Sequence, residues 1–245
     1  MFNARPERYA AGDTLEVAGV SVRLKVDGRA RRISLRLDAA RREVVATAPS
    51  PRRLKEAAQF ASQRAAWIGA AAARLPRAEP FEPGAVIQVL GRVCRLERAP
   101  GRTSPGIIEG EDLRLAAAGE GAAFSRAVVR ALKREAVEAL TERTEFHARV
   151  LGQPVPRVGV MDARSRWGSC TPARAGRVAS VRYSWRLVLA PYAVMDYVAA
   201  HECAHLVHAD HSPRFWAVVA SLVCDVKAGR AWLRANGPRL HALGR

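Results

Sequence analysis

The sequence predicts an α+β fold, and three patterns along the chain support this prediction. Apolar and polar residues alternate over residues 20–26 and again over 33–37, which is typical of half-buried β-strands. Residues 122–151 instead carry apolar side chains at helical spacing, and a second helical pattern begins at Pro191. We therefore expect strands mainly in the first half of the chain and helices mainly in the second.

The first 120 residues are expected to form a β-rich part with one helix. That helix is predicted over residues 50–74, because Ser50 is a suitable N-cap and Pro51 fits the first helical position. Asp27-Gly28 is a turn sequence, and the proline-rich residues 75–84 are expected to form a loop or linker. Strands are predicted at residues 20–26, 33–37, 43–48, 86–90, 93–97, 107–108 and 113–115.

Residues 121–245 are expected to form the second part of the protein. The long helix over 122–151 should be followed by strands at 155–161 and 178–184, with 187–189 as an extension of the latter and a turn-like block at 164–170 between the two. The helix that starts at Pro191 should stop near 208–210, and Ser212-Pro213 should begin another. A short last helix over 227–234 should end at Asn236-Gly237-Pro238.

The chain of 245 residues has a formal net charge of +17 and a pI near 11.2. Such a charge favours nucleic acid or another polyanion as a partner. Arginines are scattered through every segment, however, which is also expected of an arginine-rich composition without a dedicated groove. The charge alone leaves both interpretations open.

No part of the sequence predicts a membrane protein. The uncharged apolar runs are too short to span a bilayer, and the N-terminus lacks the apolar region of a signal peptide, so we expect a cytoplasmic protein. The four cysteines form no C-x-x-C pair, so we expect buried, reduced thiols at Cys94, Cys170, Cys203 and Cys224.

The strongest chemical pattern is H-E-x-x-H at His201, Glu202 and His205. On a helix the two histidines lie about 40° and one turn apart, so both imidazoles can bind one metal ion at about 2.0–2.1 Å. Glu202 lies beside them and can reach a metal-bound water. A pair of core histidines is the alternative, but a glutamate on this mostly apolar helix is costly without a partner. The pattern therefore predicts a zinc hydrolase.

The third zinc ligand is predicted to be His211. His208 shares a helical face with His201 but lies about 10 Å along a straight helix, so we expect it at the rim or in contact with a ligand. His211 lies beyond the expected helix end, where the chain can return to the metal, and water would take the fourth position. Asp225 is a less favoured ligand, and Asp210 could orient a ligand histidine.

Two protease classes are excluded by residues that the sequence lacks. No methionine follows Met195, so the Met-turn of the metzincins is absent. No glutamate follows Glu202, so the proteases whose third zinc ligand is a downstream glutamate are excluded as well.

Three blocks of the sequence together resemble the YgjP-like zinc metallopeptidases, which are related to the SprT-like and WLM proteases. The blocks are Arg166-Trp167-Gly168-Ser169-Cys170, His201-Glu202-Cys203-Ala204-His205 and His211-Ser212-Pro213-Arg214-Phe215-Trp216. The resemblance extends over nearly the whole chain, so the two parts could also form one continuous family domain. It implies a gluzincin-like zincin core, with the H-E-x-x-H helix beside a small antiparallel or mixed sheet.

The resemblance also implies roles for individual residues. His201, His205 and His211 would bind one zinc ion per chain, Glu202 would be the general base, and the W-G-S-C strand would pair with an extended substrate. Residues expected to contact the substrate or to support the zinc ligands are Arg166, Trp167, Gly168, Ser169, His208 and Asp210. The candidates for stabilising the oxyanion are Arg166, Tyr183, His208 and Tyr192.

The sequence thus predicts a zinc metallopeptidase that hydrolyses peptide bonds of a peptide or protein substrate through a zinc-bound water activated by Glu202. Two alternatives remain open. One is a DNA-associated protease or nucleic-acid-binding protein that contains this zinc site. The other is a non-peptide metal-dependent hydrolase, since a fold does not name its substrate.

Overall fold

The computed structural model describes residues 8–38, 43–73, 78–101, 104–110, 112–163 and 166–245. The chain divides into two compact units, Met1–Pro76 and Arg77–Arg245. The division expected at residue 120 lies inside the second unit, because strands before that point share one hydrophobic core with the helix after it. The secondary structure is α+β, as predicted.

The first unit contains a four-stranded sheet covered by helices. Its strands are β1 (Thr14–Val17), β2 (Val20–Val26), β3 (Ser34–Asp38) and β4 (Glu43–Ala48). Their order is β1-β2-β4-β3, with β2 and β4 parallel and the other pairs antiparallel. The turn after β2 therefore does not make a hairpin with β3, because β4 lies between them. Side chains of Val44, Ala46 and Ala48 in β4 are fully buried, which explains its central position.

The helix expected over residues 50–74 is interrupted. A 3-10 turn at Pro51–Arg53 leads into α1 (Leu54–Gln63), and α2 (Ala65–Ala73) follows after Arg64. The backbone N–H of Arg64 is shared between the carbonyls of Phe60 and Ala61, which tightens the last turn of α1. The predicted end of the helix at residue 74 lies outside the described residues.

The second unit begins with a four-stranded sheet packed on a long helix. The strands are β5 (Val86–Val89), β6 (Arg92–Arg98), β7 (Gly106–Ile108) and β8 (Leu113–Ala117), in the order β5-β6-β8-β7. The helix α3 spans Gly121–Val150, which confirms the prediction of 122–151 to within one residue at each end. Its buried face includes Phe124, Val128, Leu132 and Leu140, which recur at helical spacing.

A small mixed sheet also contacts α3, through its strand β9. It contains β9 (Arg157–Met161), β10 (Gly168–Thr171) and β11 (Ser180–Ser184), in the order β10-β11-β9, so β10 is an edge strand. β10 is antiparallel to β11, and β9 is parallel to it. The turn-like block expected at 164–170 is wrong for its last three residues, which lie in β10, whereas the resemblance had implied a strand there. Residues 164 and 165 lie outside the described residues. The strand extension predicted at 187–189 is wrong, because Trp185–Leu189 form a buried 3-10 helix.

Three helices complete the second unit: α4 (Tyr192–Ala204), α5 (Pro213–Leu222) and α6 (Val226–Ala242). The prediction that Ser212 caps a helix is confirmed, since its hydroxyl accepts the backbone N–H of Phe215 at 3.5 Å. The last helix does not stop at residues 236–238. It continues because Leu240 and Ala242 bury their side chains, and this packing outweighs the loss of one hydrogen bond at Pro238.

Two expectations from composition have different outcomes. Within the described part of the chain, none of the helices has both the length and the apolarity that crossing a membrane requires. All four cysteines are free, and Cys94 and Cys203 are buried as expected. Cys170 is half-buried, and the expectation is wrong for Cys224, which is exposed after the end of α5.

Candidate metal centre

The C-terminal end of α4 supplies the first two histidines of the site. His201 lies in the last turn of α4, and His205 is its C-cap residue. The helix ends at Ala204, earlier than the expected 208–210, because the N–H groups of Val207 and His208 both return to the carbonyl of Ala204. The imidazole Nδ1 of His205 donates to the carbonyl oxygen of His208 at 3.0 Å. This bond directs Nε2 of His205 away from the backbone.

Three histidines converge where α4 ends and α5 begins. His201, His205 and His211 each offer one ring nitrogen, and these nitrogens all lie within 4.8 Å of one another. The Nε2 atoms of His201 and His211 are 3.3 Å apart. Two ligands of a tetrahedral zinc ion with bonds of 2.0–2.1 Å would be separated by about 3.3–3.4 Å. The spacing of these two atoms therefore fits a common metal ion.

The chemistry of the three rings also fits a cation. Burial, followed by the neighbouring charges of His205, His211 and Arg230, lowers the pKa of His201 to about 4. Burial also lowers the pKa of His205, although its bond to the carbonyl of His208 opposes this shift. Neutral imidazoles are the form that binds metals. One hydrogen bond would satisfy only one pair of nitrogens, whereas a single cation can accept a lone pair from all three rings.

An aromatic wall from α5 supports the three rings. The ring of Phe215 is fully buried, and its centroid lies 4.5–4.9 Å from those of the three histidines. The ring of Trp216 lies 5.6 Å from His201 and 5.8 Å from His211. The Ser212 cap starts α5 immediately after His211, so the same local structure fixes this histidine and both aromatic residues.

Glu202 lies between α4 and the edge strand β10. Its side chain is buried, with 5% of the residue surface exposed. A Cβ atom added at Gly168 would lie 2.6 Å from both Cγ and Cδ of Glu202, so the carboxylate occupies space that only a glycine leaves free. Burial raises the pKa of Glu202 to about 7, although the charge of Arg166 and a hydrogen bond from the backbone N–H of Cys170 oppose this shift. A carboxylate with such a pKa is suited to accept and release a proton near neutral pH.

The remaining residues of the W-G-S-C block have different surroundings. Trp167 is half-buried and stacks on His241, with ring centroids 4.4 Å apart, so it belongs to the packing of α6. Ser169 pairs with Arg182 in the sheet and is half-buried. Arg166 is exposed, and its charge acts on Glu202. Of this block, Gly168, Cys170 and Arg166 therefore act directly on the candidate base.

The other predicted polar residues do not join the three histidines. His208 does not share a helical face with His201 as predicted, because α4 ends before it. Its backbone carbonyl contacts His205. The carboxylate of Asp210 is exposed and accepts the backbone N–H of Ser212 at 3.4 Å. Asp225 caps α6 by accepting the N–H of Ala228 at 2.8 Å, so its carboxylate is already engaged.

Neither tyrosine proposed for the oxyanion faces the histidines. Tyr183 is fully buried, and its hydroxyl bonds to the hydroxyl of Thr144 in α3 at 2.8 Å. Tyr192 is exposed at the first turn of α4, with the guanidinium of Arg143 5.8 Å from its ring centroid. It precedes His201 by nine residues, which is about 13 Å along the helix.

One cation near the site was missed by the sequence analysis. Arg230 of α6 places its guanidinium carbon 4.9 Å above the ring of Trp216. Its charge contributes to the lowered pKa of His201, so it lies within electrostatic range of the metal centre. Nothing in the local sequence distinguishes this arginine from the many others, because α6 is brought to α4 only by tertiary packing.

Comparison with known proteins agrees with this geometry. The sequence-family model of the YgjP-like metallopeptidase domain matches residues 31–236, which is most of the chain. No curated protein and no solved structure matches the chain. The matched range includes the β10 edge strand, the three histidines and Glu202. The chain therefore belongs to the YgjP-like family and contains its metallopeptidase domain.

Proposed function

We propose that this metallopeptidase has a gluzincin-like core and uses one zinc ion per chain, held by His201, His205 and His211. The observation that carries this proposal is the convergence of three imidazole nitrogens within 4.8 Å beside a buried carboxylate. Three nitrogen ligands leave a fourth position open, which is typical of catalytic rather than structural zinc sites. A metal bound there would supply a Lewis acid that lowers the pKa of water and polarises the scissile carbonyl.

Glu202 moves the proton in the proposed reaction. Its carboxylate accepts a proton from the attacking water and then delivers it to the nitrogen of the leaving amine. The backbone N–H of Cys170 holds the carboxylate in place, and Gly168 leaves the room that it occupies. Because both residues belong to β10, the orientation of the base depends on the edge strand as well as on α4.

The same edge strand is the proposed binding site for the peptide substrate. β10 pairs with β11 on one side and packs beside α4, and among the described strands no other pairs with it. An extended peptide can add to such an edge through main-chain hydrogen bonds. A peptide bound in this way would run past Glu202, which touches Gly168.

The proposal is tested by zinc content and peptide hydrolysis of the purified protein. We expect about one zinc per chain, and we expect Glu202→Gln to lower kcat by a factor of at least about 100 while the zinc content is unchanged. Glu138→Gln, which changes an exposed glutamate of α3, is the matched control and should leave both quantities unchanged. Hydrolysis of esters or nucleotides but not peptides would favour a non-peptide hydrolase. A folded protein that binds no zinc would contradict the proposal.

A second candidate function, nucleic-acid binding, is supported by a basic cavity away from the histidines. The cavity has a volume of about 550 Å³, and its lining includes Arg157, Arg174 and Arg177. Arg174 and Arg177 pair across an isolated antiparallel bridge, and like charges directly opposite each other are destabilising. Among the described residues, no carboxylate forms an ion pair with these three arginines. A phosphodiester backbone would neutralise them.

This second function is tested by fluorescence anisotropy with mixed-sequence DNA at several salt concentrations. We expect binding that weakens as salt rises, and the double change Arg174→Gln and Arg177→Gln should reduce both the affinity and the salt dependence. Arg126→Gln with Arg130→Gln, two exposed arginines of α3, is a control with the same change in net charge. Equal losses in the two double variants would mean that only the overall charge matters, which contradicts a site at the cavity.

A further inference from the structure

Arg230 is held at the rim of the metal centre by an aromatic ring. Its guanidinium carbon lies 4.9 Å from the centroid of Trp216, and that ring lies 5.6 Å from His201 and 5.8 Å from His211. A guanidinium stacked on a ring keeps its N–H groups at the edges of the stack, because only its face is covered. The hydrogen-bond donors of Arg230 therefore remain free to bind a ligand near the three histidines.

The backbone of Arg230 is fixed against the active-site helix. The preceding residue, Gly229, is buried, and a Cβ atom added there would lie 2.7 Å from Cγ of Tyr197 in α4. The side chain of Asp225 caps the same end of α6 through the N–H of Ala228. This close packing sets the position from which the side chain of Arg230 extends over Trp216.

The charge of Arg230 has no counter-ion among the described residues. No described carboxylate lies within ion-pair distance of its guanidinium, and the residue is exposed. The guanidinium lies over Trp216, whose ring is also next to His201 and His211, so the positive charge of Arg230 lies beside the three histidines. A bound metal would add further positive charge beside it. The rim is therefore suited to an anionic group.

We propose that Arg230 binds a carboxylate of the peptide substrate and so makes this peptidase prefer substrates with a free C-terminus or an acidic side chain near the scissile bond. The inference rests on the proposed function. A guanidinium can bind a carboxylate through two parallel N–H···O bonds, which gives both affinity and orientation. The two sources share this chemistry, and peptides that differ in one carboxylate distinguish them.

The test measures peptide binding to the zinc-loaded Glu202→Gln protein by calorimetry, so that it does not depend on turnover. Three peptides are compared. The first two share one sequence that contains a glutamine, and they have a free C-terminus and an amidated C-terminus, respectively. The third is amidated and has a glutamate in place of that glutamine. We expect one of the carboxylate-containing peptides to bind about tenfold or more tightly than the amidated peptide. Adding Arg230→Gln should remove this preference, and Arg230→Lys should restore part of it.

Arg234→Gln is the matched control, because Arg234 is an exposed arginine one turn farther along α6. It should keep the carboxylate preference. In the active protein, Arg230→Gln should raise KM for the preferred peptide about tenfold with little change in kcat. Thermal unfolding and zinc content should match those of the unchanged protein, since Arg230 is exposed.

Two results would overturn the inference. One is a protein that binds carboxylate and amide peptides equally well. The other is a carboxylate preference that survives in Arg230→Gln. Failure of the proposed function has a different signature, since the protein would then hydrolyse no peptide and Glu202→Gln would change nothing. A carboxylate preference that depends on Arg230 would in that case show that Arg230 binds a carboxylate, and it would overturn only the part of the inference that makes the bound peptide a substrate.

Discussion

Two clusters of polar side chains lie on opposite sides of α4, one with a single histidine and one with three, and the partners of these histidines differ. On the side of α3, the carboxylate of Asp196 accepts hydrogen bonds from Nε2 of His147 and Nε of Arg143, each at 2.7 Å. On the other side, His201 and His211 bring two ring nitrogens to within 3.3 Å of each other. Among the described residues, no carboxylate accepts a hydrogen bond from the rings of His201, His205 or His211.

The comparison shows that the partner of a buried histidine indicates its role better than burial does. His147 is fully buried, yet its carboxylate partner makes it part of a stabilising network between α3 and α4. His201 and His205 are only half-buried, but their neighbours are other imidazoles and aromatic rings. A cluster of ring nitrogens that donate no hydrogen bond to a carboxylate is suited to a metal ion, and this is the basis of the proposed site.

The largest expected difference between the two clusters is in metal binding. His211→Ala removes a proposed ligand and should weaken zinc binding by more than about 100-fold. This exceeds the usual effect of losing a residue that only hydrogen-bonds a ligand. His147→Ala should leave the zinc content unchanged but lower the thermal stability, because it leaves the carboxylate of Asp196 with one partner fewer. Zinc content after dialysis against a weak chelator measures the first effect, and thermal unfolding measures the second.

Added zinc provides the control for this pair of variants. A ligand that binds only the folded state raises the unfolding temperature, so zinc should stabilise His147→Ala and have little effect on His211→Ala. Similar losses of zinc in both variants would mean that the two clusters do not differ in the way proposed.

The second-largest expected effect is the loss of stability when Asp196 no longer pairs with Arg143 and His147. Asp196→Asn keeps the shape of the side chain but leaves Arg143 without its negative partner, which should cost on the order of 3 kcal/mol at pH 7. Burial raises the pKa of Asp196, but the hydrogen bonds and charges of His147 and Arg143 outweigh it and lower the pKa below its ordinary value. The stabilisation is therefore complete above the unfolded pKa of about 3.9 and is lost as the pH falls toward the lower folded value.

Urea unfolding of the two proteins between pH 7 and pH 3 measures this dependence. The difference in the free energy of unfolding should stay constant down to about pH 5 and decrease below about pH 4. Glu138→Gln, at an exposed position, should show almost no difference at any pH. A difference between Asp196→Asn and the unchanged protein that grows at low pH would have the wrong sign for a paired carboxylate.

The residues of the candidate metal centre could be predicted because they lie close together in the sequence. Two histidines one helical turn apart share a face whatever the rest of the fold does. The Ser212-Pro213 start of α5 places His211 at a chain reversal, which explains why the third histidine returns to the other two. The long pattern of α3 was equally clear, because thirty residues repeat the same apolar spacing.

The parts that could not be predicted depend on contacts between distant segments. α4 ends at Ala204 rather than near 208–210, and α6 continues through Pro238 because its last turn is buried. β4 inserts between β2 and β3, although β2 and β3 follow one another in the sequence and a turn sequence stands between them. Arg230 belongs to the same group, since its position depends on how closely Gly229 packs against Tyr197. The residues of each segment do not indicate which distant segment it will pack against, so these features could not be predicted.

The smallest expected effect is that of removing the hydroxyl of Tyr183, which tests whether this residue stabilises the fold rather than taking part in the reaction. Its hydroxyl is bonded to Thr144, whose own hydroxyl donates to the carbonyl of Leu140 at 2.6 Å, so the tyrosine O–H must donate to Thr144. Burial keeps the pKa of Tyr183 well above its ordinary value, so the hydroxyl stays protonated. Tyr183→Phe should therefore lower the free energy of unfolding by about 1 kcal/mol and leave peptide hydrolysis unchanged. Tyr192→Phe, at an exposed position, should change neither quantity. A fall in kcat for Tyr183→Phe without loss of stability would instead place its hydroxyl in the reaction.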